Sequence, residues 1–423
     1  MSVEKRRAME ALRAGVPNRD AVSFLGTDQV TIEQRFRRDI ANLEGSRLER
    51  RQLPGFVIGG DFGAGKSHLL GWLQHLALEN GFAVSKVVIS KETPLGDLPR
   101  VFRAAMESLR LPDRAGGLDE AVHAWRPNTE PYDEMMRRIL APGSGFEPQL
   151  QATLHVHERI RSDPELMRNL ETFWQGGRMS LSELKAALRS IGALGQFPDL
   201  RSRAVRDLAI PRFRFAAELL AGAGYRGWVL LLDEIELLAS YALQSRARGY
   251  AALAALSGNL VEQQVPGVIT VAASTTDLTR IVFDERRDHE VVPQKVGVKH
   301  PKLVPEAEAG MRMLMPHTGD WLTIQPQTAT SLEVAYRKTR ELYTEAYGWE
   351  PPPNGVELGE SSRRMRQYVR HWIARWDLQR LYPGYDPQIE SEEVVQILSE
   401  DPDLERASAS TSATESEEDS EGR

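Results

Sequence analysis

The chain is predicted to be an α/β protein built on a parallel sheet, with a helical insertion and a helical C-terminal region. Three observations predict this. The apolar run Pro54-Gly55-Phe56-Val57-Ile58 passes through glycines into a stretch with Leu69, Leu73 and Leu76 on one helical face. Two further apolar runs, 227–233 and 267–273, read as strands buried on both faces, which is the habit of parallel sheets. Between the first strands and these two, residues 110–215 are polar, helix-prone and broken by prolines and glycines, with no strong strand candidate.

Residues 3–14 set Val3, Met9 and Leu12 among charges, and Gly15 and Pro17 follow as stop signals, so a short amphipathic helix is expected there. A second helix is expected from about residue 31 to 43, where Ile32, Phe36, Ile40 and Leu43 keep helical spacing. The helix after the glycine run closes at Asn80-Gly81. Residues 83–90 (AVSKVVIS) read as a second strand and about 97–109 as a helix. A helix follows the 227–233 strand, and residues 284–326 read as loop-rich and basic in places. From 331 to about 397 the chain reads as helix, apart from a turn at 348–359. The expected division is an N-terminal helical segment (1–50), a core (51–325) containing the insertion 110–215, a C-terminal helical domain (326–402) and a tail (403–423).

At roughly 100–200 residues per domain, 423 residues suit two folded units plus extras. Hydrophobic residues at 41% and charged residues at 27% are ordinary for a soluble globular protein. No run approaches ~18 apolar residues, so no membrane span is expected. The N-terminus, MSVEKRRAMEALRAG, carries charges where a secretory signal needs an apolar core. The absence of cysteine excludes disulfides, Cys-ligated zinc, iron–sulfur clusters and thiol catalysis, and suits the cytoplasm. The net charge of −7 sits wholly in residues 400–423, where nine acidic residues meet two arginines, leaving 51 acidic and 51 basic residues in 1–399. The stretch ASASTSATESEEDSEGR offers nothing to bury and is expected to be a disordered acidic tail. The neutral body neither demands nor forbids nucleic acid.

Gly60-Asp61-Phe62-Gly63-Ala64-Gly65-Lys66-Ser67 fits GxxxxGK[ST] at every fixed position, with a strand before it and a helix after it, the context a P-loop requires. Glycines let backbone N–H groups wrap a triphosphate, the helix start adds positive potential, Lys66 meets the β- and γ-phosphates, and Ser67 offers an oxygen to Mg²⁺. Leu230-Leu231-Leu232-Asp233-Glu234 has the form of a Walker B strand. Asp233 would hold Mg²⁺ through water, and Glu234 would orient and deprotonate the attacking water. Glu236 reads as a solvated or capping carboxylate. Ser274 or Thr275, at the end of the 267–273 strand, could meet the γ-phosphate and the lytic water, or simply form a strand-end turn.

In the C-terminal region Met365, Val369, Trp372, Ile373 and Trp376 form an apolar stripe, with Arg363, Arg366 and Arg370 opposite. Either Arg366 reaches the nucleotide as a lid arginine or this is a solvated basic face. His155 and His157 lack a third ligand nearby, so metal binding is not expected. Arg35, Arg37, Arg38, Arg47, Arg50 and Arg51 could touch phosphate backbones, though such runs are usually solvated helix faces. No named DNA-reading motif is visible.

The opening Ala11-Leu12-Arg13-Ala14-Gly15-Val16-Pro17-Asn18-Arg19, the loop 61–68 (DFGAGKSH), the run LLLDEIELL and the late Met365-Arg366-Gln367-Tyr368-Val369-Arg370 resemble the BREX system ATP-binding family. In size the chain is more similar to the stand-alone BrxD-like members than to the larger BrxC-like ones. The resemblance implies an additional-strand, AAA/ORC-like P-loop NTPase core with a C-terminal helical lid or winged-helix-like domain. It further implies a role in bacterial anti-phage defence beside methylase, phosphatase-like and helicase components, with ATP and Mg²⁺ as cofactors and DNA close by. By analogy with initiator-type ATPases, the residues near Val16, Pro17 and Asn18 could pack against adenine, and His68, the last residue of the loop 61–68, is counted with the nucleotide-binding residues. A neighbouring subunit would supply an arginine, with Arg280 nearest the second sensor strand and Arg286 and Arg287 behind it, so an ATP-promoted oligomer or assembly with a related ATPase is expected. DNA contact would be sequence-independent.

Two readings stay open: an ATPase whose cycle controls partner or DNA engagement, and a nucleotide-gated interaction module with negligible turnover. A small-molecule kinase is disfavoured by the long interval from Lys66 to Asp233 and by the helical C-terminal unit.

Overall fold

The computed structural model describes residues 3–15, 18–160, 162–316, 318–353 and 365–384. Pro17, Arg363 and the tail therefore lie outside the described residues. Five strands form one parallel sheet: β1 (Phe56–Gly59), β2 (Ala83–Val88), β3 (Trp228–Asp233), β4 (Val268–Ser274) and β5 (Trp321–Thr323). Their order across the sheet is β2-β3-β4-β1-β5. β4 thus separates the glycine-loop strand from the strand ending in Asp233, with Ile58 opposite Ala273 and Leu232 opposite Ala272.

Both faces of this sheet are covered, which is why its strands read as unbroken apolar runs. On one face Phe56, Ile58, Val84, Val229, Leu231 and Ile269 meet the apolar stripes of α3 (Val30–Leu48) and α4 (Lys66–Glu79). On the other, Val57, Val87, Leu230, Leu232 and Ala272 meet a much larger helical layer. That layer begins with α5 (Leu98–Glu107), whose N-cap Asp97 accepts from the Arg100 amide at 3.2 Å.

The insertion supplies α6 (Leu118–His123), α7 (Glu130–Leu140), α8 (Pro148–Arg159), α9 (Pro164–Trp174) and α10 (Leu181–Ser190). Three of these, α7, α8 and α9, open with proline in the first turn, where a missing N–H costs nothing. On α8, His155 and His157 are buried, and His157 lies between the rings of Trp125 and Trp174, a packing role. α11 (Ala209–Gly222) leads back into the sheet at β3, and α12 (Leu243–Leu256) precedes β4.

Residues 284–326 depart from expectation. They contain not loops alone but α14 (Asp288–Val291), α15 (Leu303–Leu314) and β5, after a short α13 (Thr276–Thr279) and a π-helical turn over Arg280–Glu285. Pro305 falls in the first turn of α15, where its lack of an N–H does no harm. Gly310 is where α15 passes so close to α12 that a Cβ would lie 2.9 Å from the Tyr250 Cα.

The first and last described helices meet. α1 (Val3–Ala14) and α2 (Arg19–Leu25) share a third core with α16 (Ala329–Tyr347) and α17 (Met365–Leu381), built from Met9, Leu12, Leu342, Tyr343, Val369, Trp372, Ile373 and Trp376. The expected apolar stripe of α17 is therefore core. α2 was not expected from its composition; Asn18 caps it, its Oδ1 accepting from the Ala21 amide at 2.8 Å.

Candidate functional site

The glycine loop lies in a cleft of about 590 Å³, at the carboxyl end of the central strands. Its floor is 62–69 with Asp233, Glu234 and Glu236. Its walls are α1 (Ala11, Leu12, Gly15), the turn 25–29, the stretch 324–331 and the start of α17 (Met365, Arg366, Val369).

The loop keeps its shape through backbone conformations that side chains resist: Gly63 at φ 81 and Gly65 at φ 100. No side chain caps α4 at Gly65, so the N–H groups of its first turn are left for another acceptor. Lys66 is buried, and its ammonium donates to the carbonyls of Gly60 (2.9 Å) and Asp61 (3.1 Å). Burial lowers its pKa, against the pull of Glu236, Asp233, Asp61 and Glu234. His68 lines the cleft and joins the carbonyl of Gly26 at 2.8 Å, tying α4 to the turn before α3; burial lowers its pKa.

Asp233 closes β3, buried, with Oδ1 accepting the Glu234 amide at 3.1 Å. Glu234 adopts a left-handed backbone (φ 62, ψ 35), a strained conformation for a residue with a side chain. Burial and the neighbouring Asp233 raise its pKa. Glu236 is not solvated as expected. It is 4% exposed, lines the cleft, and its Oε2 is buried without a hydrogen-bond partner among the described residues. The tight 3₁₀ turn over Ile235–Ser240 returns it to the side of Asp233, and burial pushes its pKa up to about 6.

The other expected residues divide between the cleft and its surroundings. Gly60 and Asp61 act through their carbonyls on Lys66 rather than by lining the cleft. Ser274 and Thr275 are buried and do not line it; the Thr275 hydroxyl has no partner among the described residues. The neighbouring Thr276 hydroxyl donates to Asp61 Oδ1, so the end of β4 steadies the loop. Asn18 is occupied as a helix cap and in a bond from its Nδ2 to the Arg7 carbonyl at 3.0 Å, while Ala11, Leu12 and Gly15 face the cleft. Arg280 lies outside it, paired with Asp277 (3.3 Å) and Glu285. Arg366 lines it.

Sequence reasoning passed over three participants. Lys86 of β2 reaches Asp233 Oδ2 at 3.1 Å. Gln29 accepts the Gln325 amide at 2.7 Å and fixes the wall that follows β5. Lys338 lines the cleft and donates to the Leu25 carbonyl at 2.7 Å. Of these only Lys86 left a signal, as a lone charge inside an apolar strand.

A parallel sheet in which β1 runs through a glycine loop into a helix, with acidic residues at the end of β3 two positions away, fits the P-loop class of nucleotide-binding core. The chain belongs to the family of BREX system ATP-binding proteins BrxC/D, whose model matches residues 2–288. No curated protein gives a significant match to the chain. Membership implies use of ATP within a BREX defence system beside other components of that system. Among the described residues, no helix is long and apolar enough to cross a membrane.

Proposed function

We propose that this chain is a cytoplasmic, BrxD-like ATPase with an additional-strand, AAA-like core. ATP binding and hydrolysis at residues 60–67 would control assembly of the defence complex on DNA. The observation that carries the reading is the cleft itself, which gathers the glycine loop, Asp233, Glu234, Glu236 and Arg366 around one space. The first-turn N–H groups of α4 and the Lys66 ammonium would bind the phosphates, Glu234 would hold and deprotonate the lytic water, and Arg366 would approach from the lid formed by α17.

The oxygens of Ser67 and Asp233 suit a hard cation. Among the described residues no cluster of three or more His, Asp or Glu could hold a metal alone, which fits Mg²⁺, an ion that takes one or two protein oxygens and completes its shell with water and phosphate. When bound, Mg²⁺ would supply neutralisation of the β- and γ-oxygens.

Lys66→Ala should abolish ATP binding in calorimetry; retained affinity would refute the site. Glu234→Gln should bind ATP yet release phosphate ~10²-fold more slowly, since a positioned base typically contributes that much. Turnover within about threefold of wild type would move the base elsewhere, with Glu236 the next carboxylate. Measuring phosphate release with and without DNA at two salt concentrations tests the DNA element. Arg35, Arg37, Arg38 and Arg47 are each paired with a carboxylate of this chain, so backbone contacts would rest on other cations.

One observation favours the second reading, a nucleotide-gated module with negligible turnover. Arg280 is held by Asp277 and Glu285 and would have to be released to serve a neighbouring subunit. Light scattering with a non-hydrolysable ATP analogue, on wild type and Arg280→Ala, separates the two: ATP-promoted association together with slow hydrolysis in the variant supports the first.

A further inference from the structure

Lys86 is the one charged residue of β2, and it lies in register with Leu231 on the adjoining strand β3. Its side chain runs past the strand end to the cleft floor. There the ammonium lies 3.1 Å from Asp233 Oδ2 and 3.4 Å from the Ser67 carbonyl. Asp233 is almost wholly enclosed, whereas the Lys86 side chain is 24% exposed. Two cationic side chains, Lys66 and Lys86, thus face three carboxylates, Asp233, Glu234 and Glu236.

An ammonium touching a buried carboxylate neutralises it, and a buried charge without a partner is costly. A dication at the same carboxylate would face that ammonium with twice the repulsion of a unit charge. The long, flexible lysine stem, open to solvent on one side, permits withdrawal without repacking the sheet.

We propose that Lys86 is a built-in counter-cation of Asp233. It competes with Mg²⁺ for that carboxylate, and it makes the empty site more receptive to metal-free ATP than the loop alone would be. Removing the ammonium affects two affinities differently. Metal-free ATP, whose γ-phosphate would then face an unneutralised Asp233, binds more weakly. With Mg²⁺ present, ATP binds equally or more tightly, because no resident cation has to be displaced. An ion pair that served only the fold would, on removal, weaken both together.

The proposal rests on the nucleotide site described above. Its test is calorimetric titration of ATP into wild type, Lys86→Met, Lys86→Arg and Lys66→Ala, in EDTA and again in excess MgCl₂. The readout is the ratio of the two dissociation constants, Kd in EDTA over Kd in Mg²⁺. Lys86→Met should raise this ratio about tenfold, the effect of one partly exposed unit charge at short range. Lys86→Arg, which keeps the charge, should stay near the wild-type ratio. If Lys86→Met folds poorly, Lys86→Gln, which keeps a hydrogen-bond donor toward Asp233, should show the same rise. An unchanged or lowered ratio in the neutral variants overturns the proposal while leaving the site intact, provided Lys66→Ala has lost ATP. Wild-type ATP affinity in Lys66→Ala would instead overturn the nucleotide site, and this proposal with it.

Discussion

Glu236 shows how much one enclosed carboxylate decides. Its pKa in the folded chain is pushed up from 4.5 to about 6 by burial. A carboxylate whose folded value lies above its unfolded one favours folding below about pH 4.5 and withdraws that stability as pH rises through about 6. Glu236→Gln stays neutral throughout. Its melting temperature should match wild type near pH 4.5 and exceed it at pH 7.5, with a gain on the order of 2 kcal/mol, at 1.36 kcal/mol per pKa unit. Thermal melts across that range check it; equal melting temperatures at pH 7.5 would show Glu236 satisfied by partners. In the sequence, Glu236 looked like any polar residue after a strand. Lys66, Ser67, Asp233 and Glu234, which the structure brings to one cleft, stood out because the motifs that hold them are runs of consecutive residues. The place of Glu236 was not legible, and Lys86 showed only as a lone charge in an apolar strand, because their surroundings depend on which strand lies beside them and how tightly the next turn closes.

At the scale of elements, the pairing of α12 with α15 is the informative case. Gly310 admits the backbone of Tyr250, and a methyl there would collide with its carbonyl. Backbone cannot rotate aside as a side chain can, so Gly310→Ala should cost about 3 kcal/mol or more, the upper end of overpacking. Urea unfolding measures it, and a loss below about 1 kcal/mol would mean the helices separate freely. Gly59 has the same logic, since a Cβ there would enter the indole of Trp321 on β5. The strands β1 to β4 were legible from apolar runs alone. α15 and β5 were not, because a glycine that permits close packing and one that ends a helix are the same letter, and a three-residue strand has no periodicity to read.

At the scale of the molecule, a polar joint ties α1, α16 and α17 together beside the cleft. Asp377 of α17 accepts from Arg13 of α1 at 2.9 and 3.0 Å and from the Tyr343 hydroxyl of α16 at 2.8 Å. Both α1 and α17 line the cleft. Asp377→Ala should cost about 1–2 kcal/mol, the range for losing charge-assisted hydrogen bonds at a half-buried site. It should also weaken ATP binding severalfold without touching the glycine loop. Calorimetry against thermal melts separates the two effects; unchanged ATP affinity would show the joint to be passive. Removing residues 404–423, by contrast, should alter neither melting temperature nor ATP affinity, since Ser, Thr and Glu offer no apolar surface.

By itself the sequence determined the parallel α/β class, the glycine loop and the acidic strand end, the helical character of the insertion and the charge of the tail. Each is written in neighbouring residues through hydrophobic period, turn chemistry or composition. Tertiary structure alone decided that β4 lies between β1 and β3, and that the first helices share a core with the last. It also decided that Lys86 and Glu236 face Asp233 and Lys66. Those relations join residues far apart along the chain. They follow from burying two sheet faces and closing one cleft at once, a condition that no local stretch of sequence expresses.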